Sequence, residues 1–139
     1  MKKIIVLCPA NTVSGGPLLL HQMCYELRLI GYNAFMYYCT STNNVQENLV
    51  AEEYKKFQNP CVEDLEDIAE NIFVIPEIYP FLLKICQKAQ CIFWWLSVDA
   101  YYGVMVENVL EKTNNVFTST TLKEGYFCFS IYYLQRIFI

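Results

Sequence analysis

The sequence predicts one α/β domain: a three-layer parallel sheet with helices on both faces, spanning residues 1–139. Three observations predict it. Short apolar runs recur at Lys3–Cys8, Ala34–Cys39, Ile72–Ile75 and Cys91–Val98, as strands buried on both faces do. Helical spacing or proline-led segments lie between them, and strand–helix alternation builds parallel sheets. Finally, 55% of the residues are hydrophobic and 17% charged, so there is more apolar surface to cover than an ordinary domain carries. Either a doubly covered sheet absorbs that excess, or some of it meets a partner or membrane.

In chain order, Lys3–Cys8 (KIIVLC) reads as a central strand. Pro9–Gly16 is a loop of turn formers, and Pro17 occupies the first turn of a helix, where proline is tolerated. Leu20, Met23, Cys24, Leu27 and Ile30 share one helical side, with Gln22, Glu26 and Arg28 on the other. Gly31 ends that helix, and Ala34–Cys39 is the second strand. Val45–Phe57 has helical spacing, Pro60 interrupts, and Val62–Glu70 reads as a second short helix. Ile72–Ile75 is a strand closed by Pro76, and Ile78–Lys88 a helix with Pro80 in its first turn. Cys91–Val98 follows, with Trp94 and Trp95 directed into opposite layers. Asp99 caps a helix running to about Lys112. Thr113–Asn115 is a turn, and Val116–Ser119 a fifth strand. The apolar, aromatic tail Gly125–Ile139 is either a last element of the core or a contact surface for a partner or membrane.

Composition narrows the function. A net charge of −4 argues against a nucleic-acid partner, which requires a clustered basic face. The acidic stretch from Glu47 to Glu70 reads as a solvated surface. Seven cysteines without a CxxC pair, and His21 as the one histidine, supply no zinc-ligand grammar. The cysteines fit reduced core thiols of a cytoplasmic protein, and His21 a surface or packed residue. Ile4–Cys8 is too short for a secretory core, and no run is long enough to span a bilayer. No metal and no cofactor is expected.

The strongest site signal is Asn11–Pro17 (NTVSGGP), between the first strand and the first helix. Ligands of open α/β sheets bind beyond the carboxyl ends of the strands. Free N–H groups at a helix start suit a phosphate or carboxylate, and glycines permit close approach. The loop is neither GxGxxG nor a Walker A sequence, which disfavours a P-loop nucleotidase. The run SGGPLLLHQMCYELRLIGYNAFMYY (Ser14–Tyr38) resembles the opening of glycosyltransferases with the B-type double-Rossmann fold. VIPEIYP (Val74–Pro80) and FWWLSVDAYY (Phe93–Tyr102) resemble a bacterial subgroup associated with surface polysaccharide assembly, so the resemblance covers roughly the first three quarters of the chain.

This resemblance implies a Rossmann-like, acceptor-side domain of an enzyme moving a sugar from a nucleotide-sugar donor to a glycan acceptor. It places Ser14, Gly15 and Gly16 at the phosphate, and Glu77, Asp99 and Tyr101 along the ligand-facing edge; no catalytic residue is assigned. The plainer alternatives are a helix cap for Asp99, packing for Tyr101 and Tyr102, and a helix-start charge for Glu77. The donor-binding second domain of such enzymes has no room in 139 residues. The chain therefore reads as a fragment, a truncated frame, or a half needing a second domain or copy, in the cytoplasm or at the inner membrane face. The rival is a non-catalytic α/β module that binds a small anion or a protein partner.

Overall fold

The computed structural model describes residues 2–40 and 48–97, together with the backbone of the strand Phe127–Ser130. The strands are β1 (Ile4–Pro9), β2 (Ala34–Cys39), β3 (Ile72–Pro76), β4 (Gln90–Trp95) and β5 (Phe127–Ser130). All neighbours pair in parallel, in the order β2-β1-β3-β4-β5. The fold is α/β and Rossmann-like. From β1 the chain steps outward to β2 and then returns to the other side of β1 at β3. The connection therefore reverses between β1 and β3, which is where such sheets open a crevice.

β1 is apolar throughout because it is covered on both faces. Ile5, Val6, Leu7 and Cys8 expose no surface, and burying each aliphatic side chain contributes about 2 kcal/mol. Val6 and Cys8 face α1 (Gly15–Leu29), in a cluster with Leu20, Cys24, Met36, Tyr38 and Val74. Ile5 and Leu7 face the opposite side with Phe73, Ile75, Cys86 and Cys91. β2 alternates buried and partly covered residues, as an outer strand does; its free side takes a short bridge in which Met36 N–H donates to the Pro60 carbonyl (2.8 Å). Trp94 joins the α1 cluster, and Phe93 packs into the other layer, 6.2 Å from the Trp95 ring.

α1 ends as its sequence dictates. Gly31 sits at φ +94°, the Gly31 N–H donates to the Arg28 carbonyl, and the Tyr32 N–H donates to the Leu27 carbonyl. These are the two bonds of a Schellman cap, which needs a residue free of Cβ at that turn.

The second layer departs from expectation. Val62–Glu70 is irregular chain, not a helix. Helical spacing would stack Glu63 on Asp67 and Glu66 on Glu70, repelling pairs at i,i+4, and Asp67 is engaged elsewhere. Its carboxylate accepts the N–H groups of Gln87, Lys88 and Ala89 at 2.8–3.2 Å. The last two amides of a helix over Ile78–Lys88, those of Gln87 and Lys88, are therefore engaged elsewhere, and a 3-10 turn over Pro80–Ile85 stands there. Of Val45–Phe57, Glu52–Phe57 also forms a 3-10 turn, and residues 45–47 lie outside those described.

The cysteine expectation is corrected too. Cys86 and Cys91 form a disulfide, and Cys61 is exposed, so the thiols are not uniformly reduced core residues. Cys8 and Cys24 are buried free thiols, pushed up to about 12 by burial. The helix after Asp99, the strand Val116–Ser119 and the tail outside Phe127–Ser130 lie outside the described residues; within the tail, β5 is a strand of the sheet. The sheet, covered on both sides of β1, absorbs part of the apolar excess, and apolar surface remains exposed at Leu29, Ile30 and Tyr32. Among the described residues no helix is long and apolar enough to cross a membrane.

Two acid-sensitive groups follow. His21 is buried beside Tyr38, Tyr54 and Phe57 with no partner for Nδ1, and burial lowers its pKa from 6.5 to about 4. The unfolded chain gains this proton below pH 6.5 while the fold resists it. Stability is thus present above 6.5 and falls by about 3 kcal/mol on the way to pH 4. Urea titrations over that range should show the loss, and His21→Gln should abolish it. The backbone N–H of Ala89, with those of Lys88 and Gln87, holds the Asp67 carboxyl below its usual 3.8. Its contribution is complete above 3.8 and lost as pH falls through the lowered folded value. The stability gap between wild type and Asp67→Asn should stay constant from neutral pH down to about 3.8, then narrow as pH falls toward the lowered folded value.

Candidate functional site

The loop after β1 is held by three different segments. Ala10 N–H donates to the Cys39 carbonyl (3.0 Å) and Asn11 N–H to the Leu49 carbonyl (2.8 Å). Asn11 adopts φ +45°, a left-handed turn that asparagine tolerates better than most residues. The Thr12 hydroxyl closes the turn on the Ala10 carbonyl (3.0 Å). The third anchor is Tyr54, which is buried against His21 with ring centres 4.7 Å apart. Its hydroxyl accepts the Ser14 N–H (3.0 Å) and donates to the Ser14 carbonyl (2.8 Å). One side chain thereby fixes both backbone groups of the residue that precedes α1.

Where β1, β3 and β4 end, a cleft of about 450 Å³ opens, lined by the glycine loop on one side and by Pro76–Ile78 and Leu96–Ser97 on the other. That volume falls within the range of small-ligand sites. Gly15 and Gly16 form one wall. A Cβ on Gly15 would meet nothing within 4 Å, and one on Gly16 would touch only Leu96 Cδ1 at 3.6 Å. The fold therefore does not require glycine at 15, and its absent side chain leaves backbone N–H open at the helix start. Leu19, Leu20, Ile78, Leu96 and the prolines make most of the lining apolar.

Glu77 stands on the opposite wall and is 3% exposed. Its N–H donates to the Trp94 carbonyl (3.1 Å) and its Oε2 accepts the Leu96 N–H (3.0 Å). These bonds carry the β3–β4 pairing one step past the strand ends and fix a carboxylate in the cleft wall. Glu77 is not a helix-start charge, since the following turn begins at Pro80. No described residue lining the cleft carries a positive charge. Among the described residues, no group of three His, Cys, Asp or Glu side chains is placed to hold a metal ion.

Of the residues expected from sequence, Ser14, Gly15, Gly16 and Glu77 come together around this cleft, and Asp99 and Tyr101 lie outside the described residues. The Ser14 N–H is engaged by Tyr54 and its hydroxyl makes no helix-capping bond, so the open amides at this helix start are those of Gly15 and Gly16. Sequence reasoning missed Tyr54, because nothing local announces a contact 40 residues away. It also missed Ile78, Leu96 and Ser97, which the strand-end rule applied to β3 and β4 would have found. No protein-family model, curated protein or solved structure matches the chain.

Tyr54→Phe keeps the ring and removes both bonds to Ser14. It should destabilise the domain by about 1–2 kcal/mol and speed hydrogen exchange at the Ser14 amide. Unchanged exchange there would show that the loop is fixed without the tyrosine hydroxyl.

Proposed function

We propose that this domain is the acceptor-side half of a glycosyltransferase site, serving transfer of a sugar from a nucleotide-sugar donor in surface polysaccharide synthesis. The observation that carries the proposal is the pairing, across one cleft, of an open glycine wall with the buried Glu77 carboxylate. A carboxylate accepts hydrogen bonds from hydroxyl groups, and the apolar lining suits the C–H faces of a sugar ring. Described lining that holds an acid and no cation favours such a neutral ligand over a free diphosphate. The Gly15 and Gly16 amides then meet the donor phosphate only at the rim, where a helix start favours negative charge. Donor contacts come from a second domain or copy, since transfer requires preorganised groups on both sides of the leaving phosphate.

The resemblance of Ser14–Tyr38, Val74–Pro80 and Phe93–Tyr102 to such enzymes supports the same reading. In it the compartment is the cytoplasm, at the inner membrane face.

The test is a titration of isotopically labelled protein with methyl glycosides and, separately, with a nucleoside diphosphate. Glycosides should shift the amides of Gly15, Gly16, Glu77 and Leu96, and Glu77→Gln should weaken that binding about tenfold, a loss of about 1.4 kcal/mol. Silence toward every glycoside would sink the acceptor assignment. Shifts with the diphosphate alone would favour a non-catalytic anion-binding module.

A further inference from the structure

We infer that Cys86 and Cys91 form a thiol–disulfide exchange site whose oxidation state sets the order of the segment from Ile78 to Ile85, which starts at the cleft wall beside Glu77. The inference rests on the cleft being the working site, though the exchange itself does not. The bond ties the end of the 3-10 turn Pro80–Ile85 to the second residue of β4. Both cysteines are buried, in the cluster that includes Phe73 and Ile75.

The turn has little else to hold it. None of its residues is buried; Phe81 and Ile85 are exposed, and Leu82 and Leu83 only rest against the cluster. Its flanking backbone bonds are local, from Tyr79 N–H to the Pro76 carbonyl, Leu82 N–H to the Tyr79 carbonyl, and Cys86 N–H to the Leu83 carbonyl. Asp67 secures the amides of residues 87–89 but reaches nothing before them. Opening the disulfide therefore leaves the loop at Asp67 in place and frees the turn. Glu77 and Ile78 lie directly ahead of that turn and line the cleft.

Burial keeps Cys8, Cys24 and Cys39 protonated, and a thiol rather than a thiolate is a poor nucleophile; Cys61 is an exposed free thiol, on the far side of β2 from the pair. The chemistry uses a low-molecular-weight thiol such as glutathione. Its thiolate attacks one sulfur of the disulfide, and the S–S bond breaks to give a mixed disulfide and one cysteine thiolate, which takes up a proton. A second thiolate attacks the outer sulfur of the mixed disulfide and releases the other cysteine. Two cysteine thiols and one glutathione disulfide result, and glutathione disulfide drives the reverse.

The test equilibrates the whole chain across a series of glutathione to glutathione-disulfide ratios. Differential alkylation then reads the thiols, and hydrogen exchange reads the backbone. Cys86 and Cys91 should pass together from alkylation-resistant to alkylated. Amides of residues 78–85 should exchange about tenfold faster once reduced, with β1 and α1 unchanged. Cys86→Ser/Cys91→Ser should exchange at the reduced rate under all conditions, and reduced wild-type protein supplies the same comparison should the variant fold poorly. Persistence of the bond under fully reducing ratios overturns the inference, as does unchanged exchange at 78–85 after reduction. Either result is read without a sugar ligand, so failure of the acceptor assignment is told apart by the glycoside titration alone.

Discussion

Everything in this domain depends on β1 being buried from both sides. Ile5 through Cys8 expose no surface, so the strand exists only if α1 covers one face and another layer covers the second. That requirement sets the neighbours. β2 follows through α1 on one side, and β3 must take the other. The divergence of β2 and β3 from a common strand leaves a gap at its carboxyl end, because the covering segments leave in opposite directions. The cleft is therefore a by-product of covering β1, and the glycine loop stands at its mouth for the same reason.

The two layers are built unequally. On the α1 side a regular helix presents Leu20, His21 and Cys24 at helical spacing and ends in a glycine cap. On the other side irregular chain and one 3-10 turn bring Val62, Leu65, Leu82 and Leu83 to the sheet, held by a carboxylate that collects three amides and by a disulfide. A helix satisfies its own backbone, whereas irregular chain must find partners elsewhere. Asp67 and Asn71 supply them: Asn71, fully buried, bonds the Lys3 N–H and the Glu66 carbonyl.

This asymmetry explains what was legible in the sequence. The β1–α1–β2 unit was readable because each of its signals is local: the apolar run, the spacing of Leu20 and Cys24, Pro17 in the first turn, Gly31 after the last. Glu77 was readable for a related reason, as the residue directly past a strand. The second layer was not readable, since its conformation follows from pairings across long stretches of chain. Asp67 reaching Ala89 and Tyr54 reaching Ser14 leave no mark in any window of neighbouring residues. The helix expected over Ile78–Lys88 loses its last amides, those of Gln87 and Lys88, to Asp67, and the amides of Leu82 and Cys86 close 3-10 bonds instead.

The same long-range contacts give the cleft its chemical character. Tyr54 withdraws the Ser14 N–H from any ligand, leaving two glycine amides where a phosphate-binding loop ordinarily offers more, and Pro17 contributes none. Glu77 meanwhile brings the one charge among the described lining residues, of the sign a phosphate would avoid. The loop alone resembles an anion site; with Tyr54 and Glu77 in place, we propose, it serves as one wall of a site for hydroxyl groups. Phosphate recognition then requires cations from outside this cleft, which is the physical reason the acceptor reading carries with it a second domain or second copy.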